Sequence, residues 1–336
     1  MRQIVRRYRL LAPSRRGNAI CFLTVFLTLP FAFNFTFAQQ VQSEFPERPV
    51  SIVVPFPAGG RTDLNARIIA EAMAAALGNP VQVVNRVGAG GTVAARQVMT
   101  SKPDGHMLLF TSAALLISGY TMENAPQLDD FEPLAIVSET SPILFTRQDS
   151  GWNSVQDLVA DARQRPESLL IGGITGGTSQ ILAAGFMQAA GIKMTLVPFK
   201  GDADAIVALA GGHIDAYISG LPSAKSMLDA EKLRPLAIVG NKRVPGLPNL
   251  PLTKDAGIDF AGSLFDVVLV PKQTTEPLLN QLEALLKKVM NNPVVVAKAD
   301  GIGLDFIFIG RSDAIAFLKS QDALYAATIR KLNLKQ

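Results

Sequence analysis

From Gln39 onward the chain alternates short β-branched runs with amphipathic helical stretches, which restricts it to a largely parallel α/β architecture. Val50 to Pro55 reads as a strand. Thr62 to Leu77 reads as a helix, with Leu64, Ile68, Ile69, Met73 and Leu77 at helical spacing and Gly78-Asn79-Pro80 to stop it. A strand at Val81 to Val84, a glycine turn at Gly88 to Gly91, a short helix to Thr100 and a strand at Met107 to Thr111 complete a first βα series.

A second series follows a middle section. Ser154 is placed to cap a helix to Gln164, with Asp157 as the reciprocal acid of a capping box. Strand Leu169 to Gly172, helix Thr178 to Ala190, strand Thr195 to Pro198, helix Asp202 to Ala210 and strand Ile214 to Ile218 come next. Extended segments at Glu132 to Glu139 and Ile143 to Thr146, and again at Leu236 to Val239 and Val267 to Val270, suit strands that carry the chain from one lobe to the other and back. Helices at Glu276 to Met290 and Ser312 to Leu332 close the chain, and packing them on the first lobe makes that lobe discontinuous. The expected division is a leader at 1–38, the first lobe at 39–141, the second at 142–242, and a return to the first at 243–336.

The leader explains the chain's basic charge. It holds six arginines (Arg2, Arg6, Arg7, Arg9, Arg15, Arg16) and no acid, so of 32 basic side chains 26 remain beyond it, against 28 acidic ones. A near-neutral remainder lacks the sustained basic face a polyanion needs, and no nucleic-acid partner is expected. An arginine-rich start, an apolar stretch from Ala19 to Phe37 and small Ala38 read as a secretory signal cleaved after Ala38. A retained anchor is the alternative, but Thr24, Thr28, Pro30, Asn34 and Thr36 interrupt the stretch. Cys21, the one cysteine, lies inside it, so the exported protein is expected to have neither disulfide nor thiolate chemistry.

Chemistry is concentrated at two loops of the same construction. In Val53-Val54-Pro55-Phe56-Pro57-Ala58-Gly59-Gly60-Arg61-Thr62-Asp63 a strand runs through a Pro/Gly turn into a helix. The glycines leave amides uncovered beside a helix N-terminus, which makes an anion site. Taken alone, this loop reads equally well as an ordinary βα turn. Ile174-Thr175-Gly176-Gly177-Thr178-Ser179 repeats the arrangement with two hydroxyls at the helix start. Two such lobes facing each other bury a ligand in their cleft. Gly88-Ala89-Gly90-Gly91 has the G-x-G of a dinucleotide site, but Ala94 replaces the third glycine and no acid lies near Phe110. His106 and His213, the only histidines, are expected at loop surfaces, and no cofactor or metal is expected.

In order along the chain, Pro55 to Asp63, Asn85-Arg86 with Gly88 to Gly91, Pro103-Asp104-Gly105, Val197 to Gly201, Gly211 to Asp215 and Leu236 to Val239 resemble the substrate-binding proteins of tripartite tricarboxylate transporters, the Bug family. That resemblance implies an α/β, two-lobed type II periplasmic-binding fold with a ligand cleft between the lobes. It implies a periplasmic, non-enzymatic receptor for a small carboxylate (a di- or tricarboxylate, or an aromatic acid) that hands it to membrane permease subunits, with a monomer expected. By matching position the ligand loops are Phe56, Ala58, Gly60, Thr62 and Asp63, and Thr175, Gly177, Thr178 and Ser179, with Ser112, Gly201, Asp202 and Asp266 as further cleft residues. Arg61 departs from the family's third glycine, Gln180 from a common histidine and Phe199 from a tyrosine. Arg61 either offers a cationic fork to a second carboxylate or points into solvent, the simpler expectation. A sensor for a membrane signalling protein and a hydrolase using the same cleft are the alternatives. The hydrolase needs Thr178 or Ser179 paired with a histidine.

Overall fold

Strand β1 (Val50–Val54) shows how the apolar runs are used. Ile52 and Val54 share a core with Ile69 and Met73 of helix α1 (Arg61–Leu77), whereas Val53 packs with Val98 of α2 (Thr92–Met99). Side chains alternate across a strand, so a run that is apolar at both parities belongs to a sheet covered by helices on both faces. The same split separates Leu108 and Phe110 from Leu109 on β3 (Met107–Thr111). It recurs on β10 (Leu264–Pro271), where Val268 and Val270 part from Val267 and Leu269.

The computed structural model describes residues 45–332, and the leader expected at 1–38 lies outside them. Two sheets carry the fold. In the first the order is β11-β4-β10-β3-β1-β2, with β2 (Val81–Asn85), β4 (Phe131–Thr140) and β11 (Phe306–Gly310) completing it. Strands β1, β2 and β3 are parallel, and β10 runs antiparallel between β3 and β4. In the second the order is β7-β6-β8-β5-β9, formed by β5 (Ile143–Arg147), β6 (Leu170–Ile174), β7 (Thr195–Phe199), β8 (Ala216–Ser219) and β9 (Leu233–Ile238).

The late chain rejoins the early chain, as the sequence suggests. Helices α8 (Glu276–Met290) and α9 (Pro293–Gly301) bring Leu282, Leu286, Val289 and Val295 to the core of Ile52 and Ile69. Helix α10 (Arg311–Leu332) brings Leu318 and Ile329 to that of Leu109 and Ile117. Helices α1, α3 (Ala114–Thr121), α5 (Thr178–Ala190), α6 (Asp202–Ala210) and α7 (Leu221–Asp229) each follow a strand across a short loop. Their N-termini therefore lie at the carboxyl ends of β1, β3, β6, β7 and β8, the edge where open α/β sheets hold ligands.

Several elements depart from the expected ones. Helix α3 is apolar all round, with Ala114 to Ser118 buried, so it has no amphipathic period to read. Helices α7 and α9 are short and open on Pro222 and Pro293, and β11 is a half-buried edge strand. The strand expected at 214–218 runs from Ala216 to Ser219. His106 is not at a loop surface. It is 7% exposed, its ring meets that of Phe45 edge-on at 5.1 Å, and its Nδ1 lies 3.2 Å from Asp104 Oδ1. His213 is exposed, as expected.

Candidate functional site

The turn after β1 is fastened by Asp63. Its Oδ2 accepts the Gly59 amide at 2.9 Å and Arg67 Nε at 2.9 Å, and its Oδ1 accepts Asn85 Nδ2 at 2.8 Å. Asn85 Nδ2 also donates to the Phe56 carbonyl at 2.9 Å, which ties the loop to the end of β2. Gly59 has φ +88°, a left-handed conformation that a side chain would strain. Burial raises the Asp63 carboxyl, but the bonds from Arg67, Asn85 and the Gly59 amide outweigh it and hold the group below the ordinary carboxylate value.

Arg61 opens α1 and points neither into solvent nor toward a free anion. Its Nη1 reaches Asp266 Oδ2 at 2.6 Å and its Nη2 reaches Asp266 Oδ1 at 2.9 Å. Thr62 Oγ1 (3.0 Å), Asn65 Nδ2 (2.6 Å) and Ser138 Oγ (2.7 Å) donate to the same carboxylate. Asp266 is 0% exposed and sits at a register shift between β10 and β4, where an irregular strand re-aims a side chain.

The loop after β6 has the mirror arrangement. Gly176 has φ +67° and its amide donates to Gln180 Oε1 at 2.9 Å, so Gln180 closes the loop. Ser179 Oγ accepts the Ile174 amide at 2.9 Å, leaving Thr178 Oγ1 buried with no partner in the described protein. Such a hydroxyl, left without water or a partner, costs free energy unless something else bonds to it.

These loops close around an inner cavity of about 30 Å³. Of the residues expected to bind ligand, Phe56, Gly60, Thr62, Ser112, Thr178, Ser179 and Asp202 line it, and they share its wall with Arg61, Ile174, Ile218, Ser219 and Leu264. Thr175 lines a second, outer cavity of about 150 Å³, which adjoins the first at Phe56 and Ile174 and includes Gly88 to Gly91, Met122, Phe199 and Lys200. Ala58, Asp63, Gly177, Gly201 and Asp266 line neither: Ala58 is exposed, Gly177 and Gly201 precede the first residues of α5 and α6, and the two acids are tied up as described. The glycines at 88 to 91 thus line the outer cavity.

The sheets meet across it. A Cβ on Gly176 would stand 3.1 Å from Gly90 Cα, and the Arg61 amide donates to Ser223 Oγ at 2.9 Å. None of α1, α3, α5, α6 and α7 is capped by the side chain of its own N-cap residue, and each contributes to the inner wall or starts within two residues of one that does. Helix N-termini carry about half a positive charge each, so the enclosed field favours an anion. The stretch Ser219-Gly220-Leu221-Pro222-Ser223, missed in sequence, repeats the strand, glycine and hydroxyl signal of the other two loops. Tyr217 Oη donates to Asp202 Oδ1 at 2.6 Å, and burial, then the Asp202 charge, push that phenol well above its ordinary value. Neither histidine lines the site, and the Ser179 hydroxyl has Ile174 and Tyr217 as partners, so the pairing a hydrolase needs is not formed.

Two facing α/β sheets with a cleft at their strand ends define a two-lobed solute-binding protein. Residues 65–334 match the Tripartite tricarboxylate transporter family receptor, and the chain belongs to that family. It is 31% identical over 283 residues to the UPF0065 protein in the tcbD-tcbE intergenic region of Pseudomonas sp. (strain P51), covering 83% of this chain and 84% of that one. Among solved structures it is similar to R. palustris Rpa4515 with adipate (27% identity, TM-score 0.82, 86% of this chain and 98% of that one). It is also similar to MatC from Rhodopseudomonas palustris with bound malate (26% identity, TM-score 0.75, 86% and 98%). The family and these neighbours are solute-binding receptors, and the chain is a receptor, not an enzyme.

Proposed function

We propose that the protein is exported on its leader, cut after Ala38, and captures a small carboxylate between its lobes for delivery to the permease subunits of a tripartite transporter. The observation that carries the reading is the pair of opposed helix starts at Gly60 to Thr62 and at Thr178-Ser179, with the partnerless buried hydroxyl of Thr178 between them. Adipate and malate in the two structural neighbours are carboxylates of the size the reading requires. The inner cavity, about 30 Å³, has room for only a few waters, so entry of a dicarboxylate requires the lobes to part and close again over it. Sheet membership supports a crossing between β4 and β5, near 141, and a return between β9 and β10; Val244, Leu252 and Ile258 pack on the second lobe, so the return lies later than 243.

A few charge-assisted hydrogen bonds, at about 1.5 to 3 kcal/mol each, suffice for micromolar affinity, roughly −8 kcal/mol. Calorimetry of protein purified from cells expressing the full chain, against di- and tricarboxylates and aromatic acids, tests this. Heat of binding and a raised melting temperature with at least one acid are expected; their absence across the panel contradicts the reading. Sequencing the N-terminus of the exported protein checks cleavage after Ala38.

A further inference from the structure

The inner cavity holds an acid that the carboxylate reading does not use. Arg61 and Asp202 are the charged residues on its wall, and the Arg61 fork is already spent on Asp266. Asp202 has no cation. Its Oδ1 accepts Tyr217 Oη at 2.6 Å and Ser219 Oγ at 2.9 Å, while its Oδ2 accepts only Ser223 Oγ, at 3.3 Å. A carboxylate offers about four acceptor positions, so one is unspent, and it lies on Oδ2. That oxygen would stand 3.6 Å from a Cβ on Gly60, so it lies against the N-cap of α1.

The site therefore carries both signs: helix ends that attract an anion, and, at the start of α6, a carboxylate with no cationic side chain paired to it. A plain dicarboxylate satisfies the first and is repelled by the second. We infer that Asp202 is a specificity-determining residue and that the ligand is a carboxylate which also bears a hydrogen-bond donor, above all an ammonium group, directed at Asp202 Oδ2. This inference rests on the carboxylate reading and narrows it. The outer cavity beyond Phe56 and Ile174, lined by Val87, Met122 and Phe199, is where the apolar body of such a ligand extends.

The test compares acids in pairs that differ in the donor: succinate with aspartate, glutarate with glutamate, and 3-phenylpropanoate with phenylalanine. Calorimetry is run on the wild type and on Asp202→Asn. In at least one pair the amino member is expected to bind about tenfold tighter, the scale of one charge-assisted bond. In Asp202→Asn that ratio collapses or inverts, because the amide removes the charge and offers N–H to the cleft. A purely structural role weakens both members alike and leaves the ratio unchanged, which overturns the inference. So does binding of the donor-free acids to the wild type as tightly as their partners, an outcome that leaves the carboxylate reading standing. No binding by any of the six acids overturns the inference, and the wider panel of di- and tricarboxylates and aromatic acids decides the carboxylate reading separately.

Discussion

Arg61, the first residue of α1, and Asp266, on the returning strand β10, form a fork-on-fork ion pair across 205 positions of sequence, at 2.6 and 2.9 Å, with side chains 4% and 0% exposed. The pair fixes the start of the helix that follows the Pro55 to Gly60 loop to a strand from the late chain. It also removes the one arginine of the inner wall from contention as a ligand group.

Breaking one side of this pair strands a buried charge. Arg61→Met is expected to lower unfolding stability by about 3 to 5 kcal/mol in urea titration. The double variant Arg61→Met/Asp266→Leu is expected to recover part of that loss, because no charge is then left unpaired. A single-variant loss under about 1 kcal/mol would show the pair to be better solvated than its burial implies.

Asp63 gives the protein part of its acid limit. Its folded value is depressed, so the stability it contributes is complete above the unfolded value, about 3.9, and is lost as pH falls through the folded one. Asp63→Asn is expected to lower the melting temperature at pH 7. It should also make the decline below about pH 4 shallower than in the wild type. Parallel melting curves against pH for the two proteins would contradict this.

Thr178 Oγ1 is buried and unpartnered, so no hydrogen bond from it supports the fold. Thr178→Val preserves shape and is expected to leave stability unchanged or slightly raised. Carboxylate affinity should fall about tenfold, the equivalent of one hydrogen bond to a charged group. Unchanged affinity would mean that the hydroxyl faces no ligand atom.

Gly176 and Gly90 form the seam where the lobes touch. A methyl at 176 would sit 3.0 Å from Met122 Cε and 3.1 Å from Gly90 Cα, at a φ of +67°. Gly176→Ala is expected to weaken ligand binding by about tenfold or more, chiefly through faster release from a cleft that cannot shut. Its stability cost is about 1 kcal/mol from the left-handed backbone. Small-angle scattering with ligand present should show a larger radius than the wild type.

Much of this was legible in sequence where a local rule acts alone. The Ser154 and Asp157 capping box forms as read, Ser154 Oγ accepting the Asp157 amide at 3.2 Å and Asp157 accepting the Ser154 amide at 2.9 Å. Helices at 178–190, 202–210 and 276–290 match residue for residue because glycine, proline or a cap marks their ends. Tertiary context hid the rest. The partner of Arg61 lies on a distant strand, so neither direction weighed for its side chain was the observed one. His106 reads as a turn residue until Phe45 covers it. Helix α3 shows no amphipathic period because Ala114 to Ser118 are buried one after another.

A crystal structure of the protein with its tightest-binding carboxylate tests the central claim most directly. One carboxylate oxygen is expected within hydrogen-bond distance of Thr178 Oγ1, with the amides of Gly60 and Thr62 facing the same group. A ligand seated elsewhere, or one whose carboxylate points away from both helix starts, would contradict the account.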